Sequence, residues 1–244
     1  MDTSYLSAVQ QLLTKVEKKN NMEIEQSSSL LADCFGNEGI LHVFGCGHSH
    51  MIAEEVFYRA GGIVPIRPLF VEDLMLHKGA LRSSDFEKDP LFAQTFLPSQ
   101  PFQPNDVLLV VSTSGRNPVP IDVAQYGKKM GLRVVTISSH AYHILSSRHS
   151  TGLHLAAAAD IALDNLIPVG DALITLHNHH STNSIGPGST IINVAILNQI
   201  IVNSVELLIK KGMEIPIFKS GNVDGSEEHN NQLINKYGKR IEFF

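Results

Sequence analysis

Two cysteines in 244 residues, each in an apolar or glycine-rich setting, exclude a disulfide framework. A basic surplus is missing too. The formal charge of −5, with dispersed lysines, argues against a nucleic-acid partner, which needs a cationic face for the phosphate backbone. No apolar run continues unbroken across a bilayer. The longest, Ile191–Ile209, is interrupted by Asn193, Asn198, Gln199, Asn203 and Glu206, so no membrane partner is expected. The first residues lack the basic-then-apolar layout of a secretory signal, which leaves the cytoplasm as the expected compartment. Repeats and low-complexity tracts are absent as well. What is there, 43% hydrophobic and 18% charged residues, is an ordinary globular composition with enough chain for one large α/β domain.

Leu6, Val9, Leu13 and Val16 recur at helical spacing, and Ile24, Leu31 and Phe35 do so after Lys19–Asn21. That predicts a helical hairpin over residues 1–36. From residue 40 onward, short β-branched runs alternate with helical stretches. Strands are expected at Ile40–Phe44, Ile63–Ile66, Val107–Val111, Val134–Ser138 and Asp160–Leu163. Each is apolar along nearly its whole length, as a strand covered on both faces must be. The expected fold is a doubly wound, mainly parallel five-stranded α/β/α domain over residues 37–217, followed by a polar tail, 218–244. A helix over Ser49–Ala60 carries the stripe Ile52, Val56 and Ala60. Another follows the third strand, capped by Asn117, with Pro118 in its first turn, Val123, Ala124, Gly127 and Met130 facing inward, and Gly131 at its end. Ser189–Lys211 is apolar on nearly every face, which points to a central helix or to the interface of a homodimer or homotetramer. Leu69–Asp106 holds Pro90, Pro98, Pro101 and Pro104 and reads as a long lid or binding loop, and Ala172–Leu176 as one more short strand.

In an open α/β sheet, ligands bind beyond the carboxyl ends of the strands. That rule gathers Gly45–His50, Leu69–His77, Ser112–Asn117, Ser139–His143 and Asp164–Asp171 at one edge. Ser112-Thr113-Ser114-Gly115-Arg116-Asn117 combines hydroxyl donors, a glycine that permits close backbone approach, and a helix start, which is an anion receptor for a phosphate group. Gly45-Cys46-Gly47-His48-Ser49-His50 also joins a strand to a helix. Read as a dinucleotide fingerprint it lacks the third glycine, and the second strand ends in Ile66-Arg67 rather than in an acid, which disfavours NAD. Arg67 leaves an NADP 2′-phosphate as a minor alternative. No cofactor is expected.

Gly45-x-Gly47-x-Ser49 and Ser112-x-Ser114-Gly115-x-Asn117, taken as a pair, resemble the SIS (sugar isomerase) family of phosphosugar-binding domains. The resemblance runs through Gly131–Ile137 and Ala159–Ile161. In Asp160–Ala172, Gly186–Thr190 and Asn222–Asn230 it narrows to a bacterial subgroup of sugar isomerase domain-containing proteins. It implies a small sugar phosphate as ligand, with Gly47, Ser49, Ser112, Thr113, Ser114, Gly115 and Asn117 around the phosphate. Asn117 departs from the usual Ser or Thr. The resemblance also implies aldose–ketose isomerisation through an enediol, which needs a base and a second proton-shuttling group. Family isomerases carry a Glu in the helix after the first loop or just beyond the second strand. Here these are Glu55, beside Glu54, and Glu72, beside Asp73. Glu72, between Val71 and Leu74, is preferred because desolvation there would raise its pKa. His77 is the preferred second group, with His48, His50 and the tail's His229 as alternatives. The final helix has no histidine, where phosphoheptose isomerases place one. Gly188-Ser189-Thr190 with Glu55 and Glu72 keeps an N-acetylmuramic acid 6-phosphate etherase in view, and a phosphosugar sensor without chemistry is a third reading. His177-Asn178-His179-His180 matches no standard zinc spacing, so no metal is expected.

Overall fold

The computed structural model describes residues 4–177 and 181–244. The apolar runs form five strands: β1 (Leu41–Gly45), β2 (Ile66–Pro68), β3 (Val107–Val111), β4 (Arg133–Ser138) and β5 (Ile161–Asp164). All pair in parallel, in the order β2-β1-β3-β4-β5. The chain therefore steps from β1 to one side, returns to β3 and continues to the other side. The crevice where that direction reverses lies between β1 and β3, where open α/β sheets bind ligands.

Alternate side chains supply two cores. Val107, Leu109 and Val111 of β3 face a layer built by α1 (Tyr5–Lys19), α2 (Asn21–Gly36), α3 (Met51–Val56) and α6 (Ser189–Lys210). Leu108 and Val110 face α5 (Pro118–Lys129) and the segment before β3. The two N-terminal helices are separated by Asn20 alone, and both lie on α6. Asn20 is buried, donates to the carbonyls of Val16 and Asp164, and accepts from the Asp164 N–H, so the bend between them is pinned to the end of β5. By length and composition α6 is apolar enough to cross a bilayer, but its inner face is spent on α1, α2 and α3. Its outer face leaves Ile191, Val202 and Ile209 exposed.

Several local expectations are corrected. The second strand begins at Ile66 rather than Ile63, because Ile63 and Val64 pair instead with Ile217 and the Pro216 carbonyl. Pro68 is tolerated because β2 is an edge strand. The helix expected to reach Ala60 ends at Val56. Phe57 turns extended, and its ring stacks on Phe244 with centroids 5.5 Å apart. Leu69–Asp106 is not an open loop: it holds α4 (Ala80–Lys88) and short 3-10 turns, with Phe86 and Phe96 against Phe92 at 4.4 and 5.9 Å. Met130 is exposed rather than inward. The short strand becomes β6 (Ala172–His177), paired antiparallel with β7 (Thr182–Pro187) in a hairpin outside the main sheet. The polar tail forms α7 (Ser226–Tyr237), and Phe218, Tyr237 and Ile241 close a third core over Ile40 and Val64.

Candidate functional site

The loop after β3 is held by its carbonyls. Thr113 O accepts from the Ser139 N–H (2.9 Å), Gly115 O from Leu155 (2.8 Å) and Arg116 O from Arg148 (2.9 Å). The N–H groups of Thr113, Ser114, Arg116 and Asn117 donate to nothing among the described residues, and neither do the hydroxyls of Thr113 and Ser114. Carbonyls tied back and amides left free are what an anion needs from a turn. Gly115 makes the turn at φ 57°, and a Cβ there would meet Leu155 and Ser138 at 3.3 Å.

The start of α5 adds less than the sequence implied. Pro118 and Pro120 have no N–H, so Val119 alone of its first three residues has one to offer, and the donors are mainly those of the loop itself. Asn117 occupies the N-cap position without capping. Its amide donates to Glu87 (2.9 Å) and accepts from Arg148 Nη1 (2.8 Å), because two outside partners outcompete the helix end.

Gly45 pairs in register with Val111, so the loop after β1 opens beside the loop after β3, about 4.8 Å away. At Gly45 a Cβ would lie 2.4 Å from the Ser49 carbonyl oxygen. The tight 3-10 turn Gly47–His50 continues into α3, with Ser49 N–H on Cys46 O (2.9 Å) and the Ser49 hydroxyl unpartnered among the described residues. Gly47 takes φ 55°. His50 is used within the turn, on the Gly47 carbonyl and 3.3 Å from Glu54, while His48 is exposed. Gly47, Ser49, Ser112, Thr113, Ser114, Gly115 and Asn117 thus come together at the β1/β3 crevice.

The acid–base candidates fare differently. Glu72 is not desolvated. Its exposed carboxylate lies 2.9 Å from Lys78, and that hydrogen bond and charge hold its pKa below the ordinary value, so the expected raised pKa is overturned. His77 is exposed beside it. Glu55 is half-buried on α3, with Arg59 2.7 Å from its carboxylate. Sequence reasoning missed Glu87, one acid among several in a polar stretch, yet burial raises its pKa and the Asn117 amide fastens it beside the Ser112–Asn117 loop. Burial also pushes the neighbouring Cys46 thiol well up, with the Glu87 charge adding to the effect.

Other candidates are structurally committed. Asp171 accepts from the N–H groups of Gly188 and Ser189 and from the Ser189 hydroxyl, tying that hydroxyl to the start of α6. His229 bonds the Ile217 carbonyl. The buried Arg67 guanidinium is bonded to Gln100 and Glu242, which removes it as a 2′-phosphate receptor. His177 bonds Thr182 across the hairpin, whereas Asn178, His179 and His180 lie outside the described residues. Among the described residues no group of three or more His, Cys, Asp or Glu side chains is placed to hold a metal ion.

Residues 4–139, which include both loops, match the SIS domain model. The chain belongs to the SIS-domain family. It is 45% identical to a UPF0309 protein of Halalkalibacterium halodurans, over 99% of this chain and 96% of that protein. A UPF0309 protein of Geobacillus thermodenitrificans is 42% identical over the same shares. Among solved structures, the SIS chain is similar in fold to the phosphoheptose isomerase GmhA from Neisseria gonorrhoeae. The TM-score is 0.53 at 15% identity, covering 83% of this chain and 94% of that one. A phosphoheptose isomerase from Francisella tularensis gives the same TM-score and identity, covering 83% and 95%.

Proposed function

We propose that this SIS protein binds a sugar phosphate at the β1/β3 crevice and interconverts its aldose and ketose forms, acting in the cytoplasm as a homodimer or homotetramer. The observation that carries the binding step is the loop Ser112–Asn117, whose Thr113, Gly115 and Arg116 carbonyls are tied back while four amides and two hydroxyls have no partner to donate to among the described residues. The exposed outer face of α6 supports the oligomer. Ser114→Ala should weaken sugar-phosphate affinity about tenfold, the worth of one hydrogen bond to a charged group, without lowering the melting temperature. Calorimetric titration checks the first and a thermal melt the second.

Enediol chemistry needs two proton-handling groups. Glu55 supplies the base in this reading: it follows the Ser49 turn on α3, is half-buried, and has its orientation fixed by Arg59. Glu87, its pKa raised by burial, supplies the second group at the phosphate loop. Glu72 and His77, exposed at the same edge, are the lesser candidates. A panel of pentose, hexose, heptose and amino-sugar phosphates followed by NMR tests this. Interconversion lost by about 10²–10⁴-fold in Glu55→Gln, and kept within about threefold in Glu72→Gln, is the expected result. Elimination products favour an etherase, binding without turnover favours a sensor, and either outcome sinks the isomerase reading.

A further inference from the structure

From 123 to 159 the sequence contains no acidic residue, although the whole chain carries a net −5. That span holds His140, His143, Arg148, His149 and His154 in the loop beyond β4. His149 is committed, with Asp122 at 3.0 Å and the Thr151 hydroxyl at 2.7 Å. The other three imidazoles form a row. His140 and His143 stack at 4.9 Å with planes 16° apart, and His143 and His154 follow at 4.8 Å. Their ring nitrogens are under-used. Among the described residues His140 Nε2 is buried without a partner, His143 makes no hydrogen bond, and His154 commits one nitrogen, Nε2, to the Leu145 carbonyl.

The row hangs from the phosphate loop. Ser139, just before His140, donates to the Thr113 carbonyl, and Leu155, just after His154, donates to the Gly115 carbonyl. β3 and β4 are paired neighbours, about 4.8 Å apart, so the row stands beside the Ser112–Asn117 loop at the same edge of the sheet. We propose that His140, His143 and His154 form a second anion subsite, which takes a carboxylate or second phosphate at the end of the sugar remote from the gripped phosphate. The inference rests on the phosphate-site reading above. The His140 and His143 rings, 16° apart, set their nitrogens side by side, and His154 is tilted 54° across the end of the row, an open arrangement that suits a flat carboxylate better than a metal ion.

The groups facing the row are the imidazoles themselves and Asp164 at the end of β5, 3.7 Å from His140 Nδ1. Asp164 is partly occupied by the N–H groups of His140 and Leu166. Arg116 stands on the phosphate side, its Nε on the Ser146 carbonyl. Burial first, then the His140 and His154 charges, lower the pKa of His143, against the pull of Asp164. An arriving anion reverses that balance and draws in a proton, so its affinity rises as pH falls through the histidine range.

The test is calorimetric titration of the full chain with 6-phosphogluconate and with glucitol 6-phosphate, which differ at C1 as carboxylate and alcohol. The acid should bind at least about tenfold tighter near pH 6, and within about threefold near pH 8. The double variant His143→Ala, His154→Ala should lose that preference while keeping its affinity for glucitol 6-phosphate. Equal affinities at both pH values, or a preference that survives in the double variant, overturn this subsite alone. Failure of both compounds to bind overturns the phosphate-site reading, and this one with it.

Discussion

Asp106→Ala should cost about 3–5 kcal/mol of stability, because it leaves the buried His42 imidazole, the partly buried Arg240 guanidinium and two backbone N–H groups without their acceptor. Asp106 opens β3 with its side chain fully buried. It accepts from His42 Nε2 at 3.0 Å, from Arg240 at 2.7 and 2.8 Å, and from the Ile40 and Gln103 N–H groups. One carboxylate thus joins β1, β3 and the segment after α7. A loss of that size is a large share of a typical domain's 5–15 kcal/mol, roughly. The urea midpoint should drop steeply, with release of residues 218–244 visible as exposed Phe and Tyr. A midpoint shift worth under about 1 kcal/mol would refute the lock.

The same network sets an acid limit. Burial works to raise the Asp106 pKa, but its hydrogen bonds overcome this and hold it below the ordinary 3.8. Burial lowers the His42 pKa below the ordinary 6.5 against the pull of Asp106. In both cases the unfolded chain binds more protons than the folded one, so stability falls as pH falls. The loss begins below 6.5 with His42 and deepens below 3.8 as Asp106 protonates.

Gly45→Ala should abolish measurable sugar-phosphate binding, a loss of at least about 10²-fold, because the whole Ser49 turn has to move. The added methyl would sit 2.4, 2.5 and 2.8 Å from the Ser49 O, C and Cβ atoms. None of these is the far end of a flexible side chain. Gly47→Ala is the informative contrast. A Cβ there meets Leu76 alone, at 4.0 Å, so the substitution pays for its φ of 55° without a clash. That strain is about 1–2 kcal/mol, and affinity should fall less. Equal affinities for Gly45→Ala and the parent chain would show that the turn after β1 takes no part in binding.

These effects also show which parts of the molecule its sequence discloses. The strands were legible because both faces of a parallel sheet are covered, so Val107–Val111 is apolar throughout. The turn proposed to hold the phosphate was legible because it is local: Ser112 to Asn117 build it from six consecutive residues. Glu87, Arg148 and the Asp106 network were not, because each acquires its role from a partner at least 30 positions away. The rise expected of the Glu72 pKa failed for a related reason. Flanking Val71 and Leu74 say nothing of Lys78, whose side chain reaches it in solvent. The second strand slipped because Ile63 and Val64 are as β-prone as Ile66, and the segment around Pro216 and Ile217 claimed them.

The central claim is that a sugar phosphate is held by the paired turns after β1 and β3. An NMR titration of ¹⁵N-labelled protein with a panel of sugar phosphates, and with the same sugars unphosphorylated, tests it most directly. Saturable shifts at the Ser49, Ser114, Gly115 and Arg116 amides with at least one phosphorylated member, and none with its unphosphorylated partner, are the expected result. Saturable shifts centred elsewhere in the chain, or equal responses with and without the phosphate, would contradict it.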